Sequence, residues 1–236
     1  KLRDVGKLEN TLILFASDNG GSAEVVRIGE GEIGSITPGR RADVILTSDL
    51  KTLPIEVVIA RGQIVAESGS IKVECPHLDW PAHARGTVHL GHELTAKDYE
   101  LAAPDGANAV TANVIGVVEN QAPTKALKAE LPVQDGLVEG TEDVCQIALV
   151  ERHRATGGVT NAFVSGFGYE GKMAMASTVA HDSHHMIVVG TDRAQMALAA
   201  NRLAEVGGGI TIFRDGEELA LVELPIAGLM SDSPAS

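Results

Sequence analysis

Aromatic side chains are scarce: 236 residues hold one Trp, two Tyr and four Phe, 3% of the chain. Without large rings the interior has to be built from Val, Ile, Leu, Ala and Met, which favours extended sheet with short aliphatic side chains. Basic residues are also in short supply, with 19 Lys and Arg against 32 Asp and Glu, for a net charge of −13. Such a surface repels phosphate backbones and anionic headgroups, so nucleic acid and membrane are poor partners. A small-molecule substrate or a divalent metal is easier to accommodate. The only two cysteines, Cys75 and Cys145, form no CxxC pair, and two free thiols in a reducing, cytoplasmic setting are the favoured reading. No apolar run approaches the roughly 20 residues that span a bilayer. No signal peptide opens the chain, and its start at Lys1 without Met reads as processed or trimmed. There is no P-loop and no dinucleotide fingerprint, because Gly207-Gly208-Gly209 follows a helical pattern instead of opening one. Ser165-Gly166-Phe167-Gly168 lacks the glycine two residues before Ser165 that a GxSxG elbow needs.

What is present is a globular composition, 44% hydrophobic and 22% charged with 26 glycines, long enough for one large domain or two small ones. Thr11–Phe15 has strand character and runs into a polar turn at Asp18-Asn19-Gly20. Ala42–Leu46 reads as a strand. Val57–Ala60 and Ile64–Ala66 bracket Arg61-Gly62-Gln63 as a hairpin, and Asp43 reads as a carboxylate capping a turn. His77, His83, His89 and His92 are spaced irregularly among Pro76, Pro81, Gly86 and Gly91, the pattern of a connecting segment with surface imidazoles. Val110–Val118, Cys145–Val150, Met173–Ala180 and Met186–Val189 follow as strands. Asp192 as N-cap with Gln195 at the third helical position opens a helix with an apolar stripe of Met196, Ala199, Ala200 and Leu203. Gly207-Gly208-Gly209 ends that helix, and Ile210–Phe213 pairs with Leu219–Leu224 across Asp215-Gly216. Strands, one helix and a closing hairpin define an α+β fold.

The densest chemistry lies in His181-Asp182-Ser183-His184-His185, between two apolar strands. In an extended strand His181 and His185 share a face; in a helical turn His181 meets His184 and His185. Either arrangement gives two imidazole nitrogens, and Asp182 or His153 can supply a third ligand, leaving an open position where a metal-bound water is activated. The expected metal is zinc, manganese or iron, with His181, His184 and His185 as ligands, Asp182 and His153 in catalytic roles and Ser183 contacting substrate. The alternative is a hydrogen-bonded loop in which Asp182 accepts from backbone amides and the imidazoles face solvent or another domain.

Three stretches carry a family resemblance: Gly34-Ser35-Ile36-Thr37-Pro38-Gly39-Arg40-Arg41-Ala42-Asp43-Val44, then Ala180 through Gly190, then Gly207-Gly208-Gly209 with Leu224-Pro225-Ile226-Ala227-Gly228-Leu229-Met230-Ser231-Asp232. Over residues 25–236 the chain resembles the C-terminal part of the adenine deaminase family, in the amidohydrolase superfamily. The resemblance implies a remnant of the small amidohydrolase β-sandwich over 25–75 and an α+β domain over 76–236. It implies no (β/α)₈ barrel, so the family's metal centre is missing and the histidine run is a loop near a substrate site built elsewhere. His185 departs from the family pattern, where Asn is expected. Residues 1–24 are different: Asn10 through Gly21 is similar to a sulfatase segment whose Asp and Asn bind calcium, which makes the chain read as a fusion.

Two functions follow from these readings. One is a stand-alone, promiscuous metal-dependent hydrolase of small esters or phosphoesters. The other is a non-catalytic domain that needs the barrel to convert adenine and water to hypoxanthine and ammonia. In either case the apolar surface left where a barrel would pack predicts a homo-oligomer.

Overall fold

A computed structural model describes residues 12–14 (backbone only), 38–39, 41–49, 51–74, 79–141, 143–181 and 183–233. It divides into two compact units, Lys1–Leu78 and Asp79–Ser236. The sulfatase-like leader expected over residues 1–24 lies outside the described residues except for Leu12–Leu14, as do Cys75, His77 and Asp182.

Among its described residues the first unit is one antiparallel meander of five strands: β1 (Leu12–Leu14), β2 (Val44–Thr47), β3 (Val57–Ala60), β4 (Gln63–Glu67) and β5 (Ser70–Ile71), paired in chain order. β1 lies along β2, with Ile13 opposite Leu46. The β3–β4 hairpin turns through Arg61 and Gly62 at φ 50° and 78°, the twisted two-residue turn that matches strand twist. Asp43 closes it as the sequence suggests, its carboxylate accepting from the Arg61 N–H at 2.6 Å.

The second unit is mostly sheet with a single α-helix among the described residues, and it contains no (β/α)₈ barrel. After two 3₁₀ turns (Ala82–Ala84 and Ala96–Tyr99) come β6 (Ala109–Gly116), β7 (Lys125–Gln134), β8 (Leu137–Val138), β9 (Val144–Val150), β10 (Val159–Ser165), β11 (Met173–Ser177), β12 (Met186–Gly190), α1 (Arg193–Val206), β13 (Gly209–Arg214) and β14 (Glu217–Glu223). They form one sheet in the order β14-β13-β11-β12-β9-β10-β6-β7-β8. All neighbours are antiparallel except β10 and β6.

Helix α1 lies over β11, β12 and β13. Its stripe of Met196, Ala199, Ala200 and Leu203 is fully buried against Ala174, Ala176, Val188 and Phe213, the alternate residues of strands facing it. Asp192 caps the helix by accepting from the N–H groups of Ala194 and Gln195. Gln195 departs from the expected capping box: its side chain is buried and accepts from the Gly216 N–H at 2.9 Å, tying the helix start to the β13–β14 hairpin. No helix among the described residues is long and apolar enough to cross a membrane.

Candidate functional site

β12 begins where β9 ends, with Met186 opposite Val150. This pairing brings His184-His185, just before β12, to the same end of the sheet as Arg152-His153, just after β9. Residues 32 positions apart thus meet through strand register alone (185 − 153). The rings of His153 and His185 stand 4.8 Å apart and those of His181 and His184 5.8 Å apart. His153 Nε2 lies 3.2 Å from the Ser183 carbonyl. The Ser183 hydroxyl, expected to contact substrate, accepts weakly from the His185 N–H at 3.4 Å and is exposed. His185 Nδ1 is buried with no hydrogen-bond partner among the described residues.

The described side chains therefore give imidazoles in pairs. No group of three His, Cys, Asp or Glu among the described residues is arranged to hold a metal ion. Asp182, the expected base or third ligand, lies outside them, and no metal step is derived from these pairs. The upstream histidines do not join the loop through any described contact. His83 and His89 are exposed, and His92 pairs with Asp98 at 2.6 Å.

The residue that sequence reading missed is Arg152. It is 1% exposed, and its guanidinium donates to three carbonyls: Nε to His184 at 2.6 Å, Nη1 to Thr87 at 3.4 Å and Nη2 to Ala227 at 3.2 Å. Burial lowers its pKa, with no carboxylate among its hydrogen-bond partners. His184 and Ala227 both sit in the left-handed region, at φ 49° and 56°, an unfavourable conformation for residues with a Cβ. The carbonyls of both residues turn onto the same guanidinium, and His184 N–H closes the loop by donating to the Ala180 carbonyl at 2.6 Å. The only sequence signal was a charged Glu-Arg-His run directly after an apolar strand.

Glu151 holds the other side of this corner. Desolvation pushes its pKa up, but N–H donors from Thr156, His153 and Arg154 and the Thr156 hydroxyl together outweigh it and bring the carboxyl down to about 2. A depressed folded pKa contributes stability above the ordinary value of 4.5, and that contribution is lost as pH falls toward about 2. The Tm of the wild type is expected to drop more steeply between those pH values than that of Glu151→Gln. Parallel melting curves for the two proteins would count against this carboxylate as the anchor.

With this geometry in place, the chain can be compared with known proteins. Residues 121–236 match the family described as Adenine deaminase C-terminal domain. Among whole proteins, the chain is 93% identical over 207 residues to an adenine deaminase of Ruegeria sp. (strain TM1040), covering 88% of this chain and 34% of that protein. An adenine deaminase of Ruegeria pomeroyi is 83% identical over 210 residues, with 88% and 35% covered, and one of Moorella thermoacetica is 44% identical over 205 residues, with 86% and 34% covered. The chain spans about a third of the length of the curated relatives it matches.

Proposed function

We propose that this chain acts as the C-terminal part of an adenine deaminase, closing a purine pocket whose hydrolytic centre lies in a domain outside these residues. The observation that carries the reading is a 93% identity to a protein of that name, of which the chain spans 34%. The loop at His181–His185 suits such a task. Imidazoles donate and accept hydrogen bonds, complementary to the ring nitrogens and exocyclic amine of a purine. The Nδ1 of His185, buried and without a hydrogen-bond partner among the described residues, supports a ligand contact at that atom. The five-stranded meander fits as the remnant of a small β-sandwich beside a barrel.

The test mixes this chain with the complementary part of the Ruegeria sp. adenine deaminase and follows ammonia release from adenine. The expected result is activity only in the mixture, with His185→Ala slowing it about tenfold, the equivalent of one lost hydrogen bond. Ammonia release by this chain alone overturns the reading.

A second reading is a stand-alone hydrolase using zinc, manganese or iron on His181, His184 and His185, with Asp182 as ligand or base and His153 supporting, and it needs more than the pairs of imidazoles that the described side chains bring together. Metal content by plasma mass spectrometry separates the two. A chain that binds none of these metals after incubation with each is not such a hydrolase.

A further inference from the structure

The second unit holds a cavity of about 630 Å³ that the histidine loop does not line. It lies at the opposite end of the sheet. β12 runs from Met186, beside the loop, to Gly190, which lines the cavity, about 13 Å of strand away. The 3₁₀ turn at Ala96–Tyr99, the connection from β8 to β9 and the start of α1 surround it. Its volume is in the range of small-molecule sites, about 300–1,000 Å³.

Carboxylates of Glu100, Glu139, Glu170 and Asp192 line the cavity against one guanidinium, that of Arg193. Glu139 meets the Arg193 charge at 2.8 Å, and Arg193 Nη2 donates to the Val138 carbonyl. Asp192 takes the N–H groups of Ala194 and Gln195, so those amides are not offered to an anion. Glu100 and Glu170 are exposed and have no cationic partner among the described residues. The floor is an acceptor as well. Gln146 is only 6% exposed, and its Nε2 donates to the Tyr99 carbonyl and to Asn161 Oδ1. Asn161 Nδ2 donates in turn to the Asp98 carbonyl at 3.0 Å, so these bonds fix which way both amides face. Gln146 Oε1 accepts from none of the described residues yet is not sealed from solvent, which leaves this oxygen to the cavity.

We propose that this cavity binds a short aliphatic polyamine, with one ammonium donating to Gln146 Oε1 and the other charges met by Glu100 and Glu170 at the rim. An ammonium carries three donors and no acceptor, which complements a cavity whose uncommitted groups are these three acceptors. A metal ion does not fit the same groups: no three acids among the described residues converge as its coordination requires. A polyamine spaces its charges along a flexible chain and can meet carboxylates that stand apart. The net charge of −13 attracts any cation diffusely, so the test has to separate a site from that background.

The test is calorimetric titration of the full chain with spermidine at about 0.15 M salt, where attraction between exposed charges is screened beyond about 8 Å. One saturable equivalent is expected, with butylamine, a single ammonium, at least about tenfold weaker. Glu100→Gln combined with Glu170→Gln removes both rim charges. Glu130→Gln combined with Glu223→Gln removes two exposed carboxylates elsewhere and changes the net charge equally. The first pair is expected to weaken spermidine about tenfold, as two exposed ion pairs together, and the second less than about twofold. All four positions are exposed, so the substitutions leave the fold intact. The absence of saturable binding up to about 10 mM spermidine overturns the proposal. An equal loss in both pairs does the same, because it marks diffuse attraction to an acidic surface, and so does unchanged affinity in the Glu100 and Glu170 pair. Calorimetry needs no activity, so failure here is distinct from failure of the deaminase reading.

Discussion

Arg152→Met is expected to lower the stability of the second unit by about 3–5 kcal/mol, and the Tm by roughly 6–20 °C for a domain of this size. The side chain is too deeply buried for water to replace it, and its loss orphans the carbonyls of Thr87, His184 and Ala227 together. Each unsatisfied buried acceptor costs about 1–3 kcal/mol, with partial relaxation keeping the total below the sum. Arg152→Lys keeps the charge but cannot reach three carbonyls from a planar fork, so an intermediate loss is expected. Urea unfolding gives the energies, and amide exchange at His184 and His185 gives the local consequence, faster exchange in both variants. A Met variant as stable as the wild type would show that the guanidinium holds nothing together. The expected loss of function exceeds the loss of stability, because without its pin the left-handed turn at His184 can relax and carry both imidazole pairs away.

The second large effect lies in the glycine run. Gly207 ends α1 in the left-handed conformation, φ 84°, with open space around it, the nearest atom to an added Cβ being Pro225 Cα at 3.7 Å. Gly208 is different: at φ 117° a Cβ would lie 2.5 Å from Gly228 Cα and 3.0 Å from Thr178 Oγ1. The Thr178 hydroxyl donates to the Gly228 carbonyl at 2.6 Å and accepts from the Gly209 N–H at 2.7 Å, so the backbones of β13 and the Gly228 turn are fastened at that point. Gly208→Ala is therefore expected to cost about 3 kcal/mol or more, through backbone strain and overpacking, against about 1 kcal/mol for Gly207→Ala. Thermal melts of the two variants rank them. Equal losses would mean that the run does nothing beyond ending the helix.

That contrast marks how far the sequence could be read. Three consecutive glycines after an apolar stripe announce a helix stop, and one of them is; the other two answer to the Gly228 turn and to Val222 across the hairpin, contacts that local pattern does not carry. The same division holds elsewhere. Asp192 and the Arg61-Gly62 and Asp215-Gly216 turns were legible because a cap or a two-residue hairpin is settled by neighbours in the chain, whereas the carboxylate of Asp43 reaches Arg61, 18 residues along. β7 was not: Lys125 to Gln134 mixes Lys, Ala, Leu and Glu around Pro132, weak strand formers held in place by eight paired positions on β6. The histidine run signalled polar chemistry from its composition. His153 was already a candidate partner in the sequence, but Arg152 emerges only from the register of β9 against β12, and a buried guanidinium satisfied by carbonyls leaves no compensating acid to find in the sequence.

The one parallel pairing in the sheet has a consequence for how the second unit holds its cooperativity. Strand β10 touches β9 on one side and β6 on the other, and no other strand connects β6, β7 and β8 to the rest of the sheet. Those three strands close around Val114, Leu131 and Val138, a cluster distinct from the one beneath α1. The domain is thus two blocks joined through β10, through Val144 of β9, which enters the second cluster, and through Arg193 of α1, which donates to the Val138 carbonyl and pairs with Glu139; these contacts bear on whether heat or denaturant meets one transition or two.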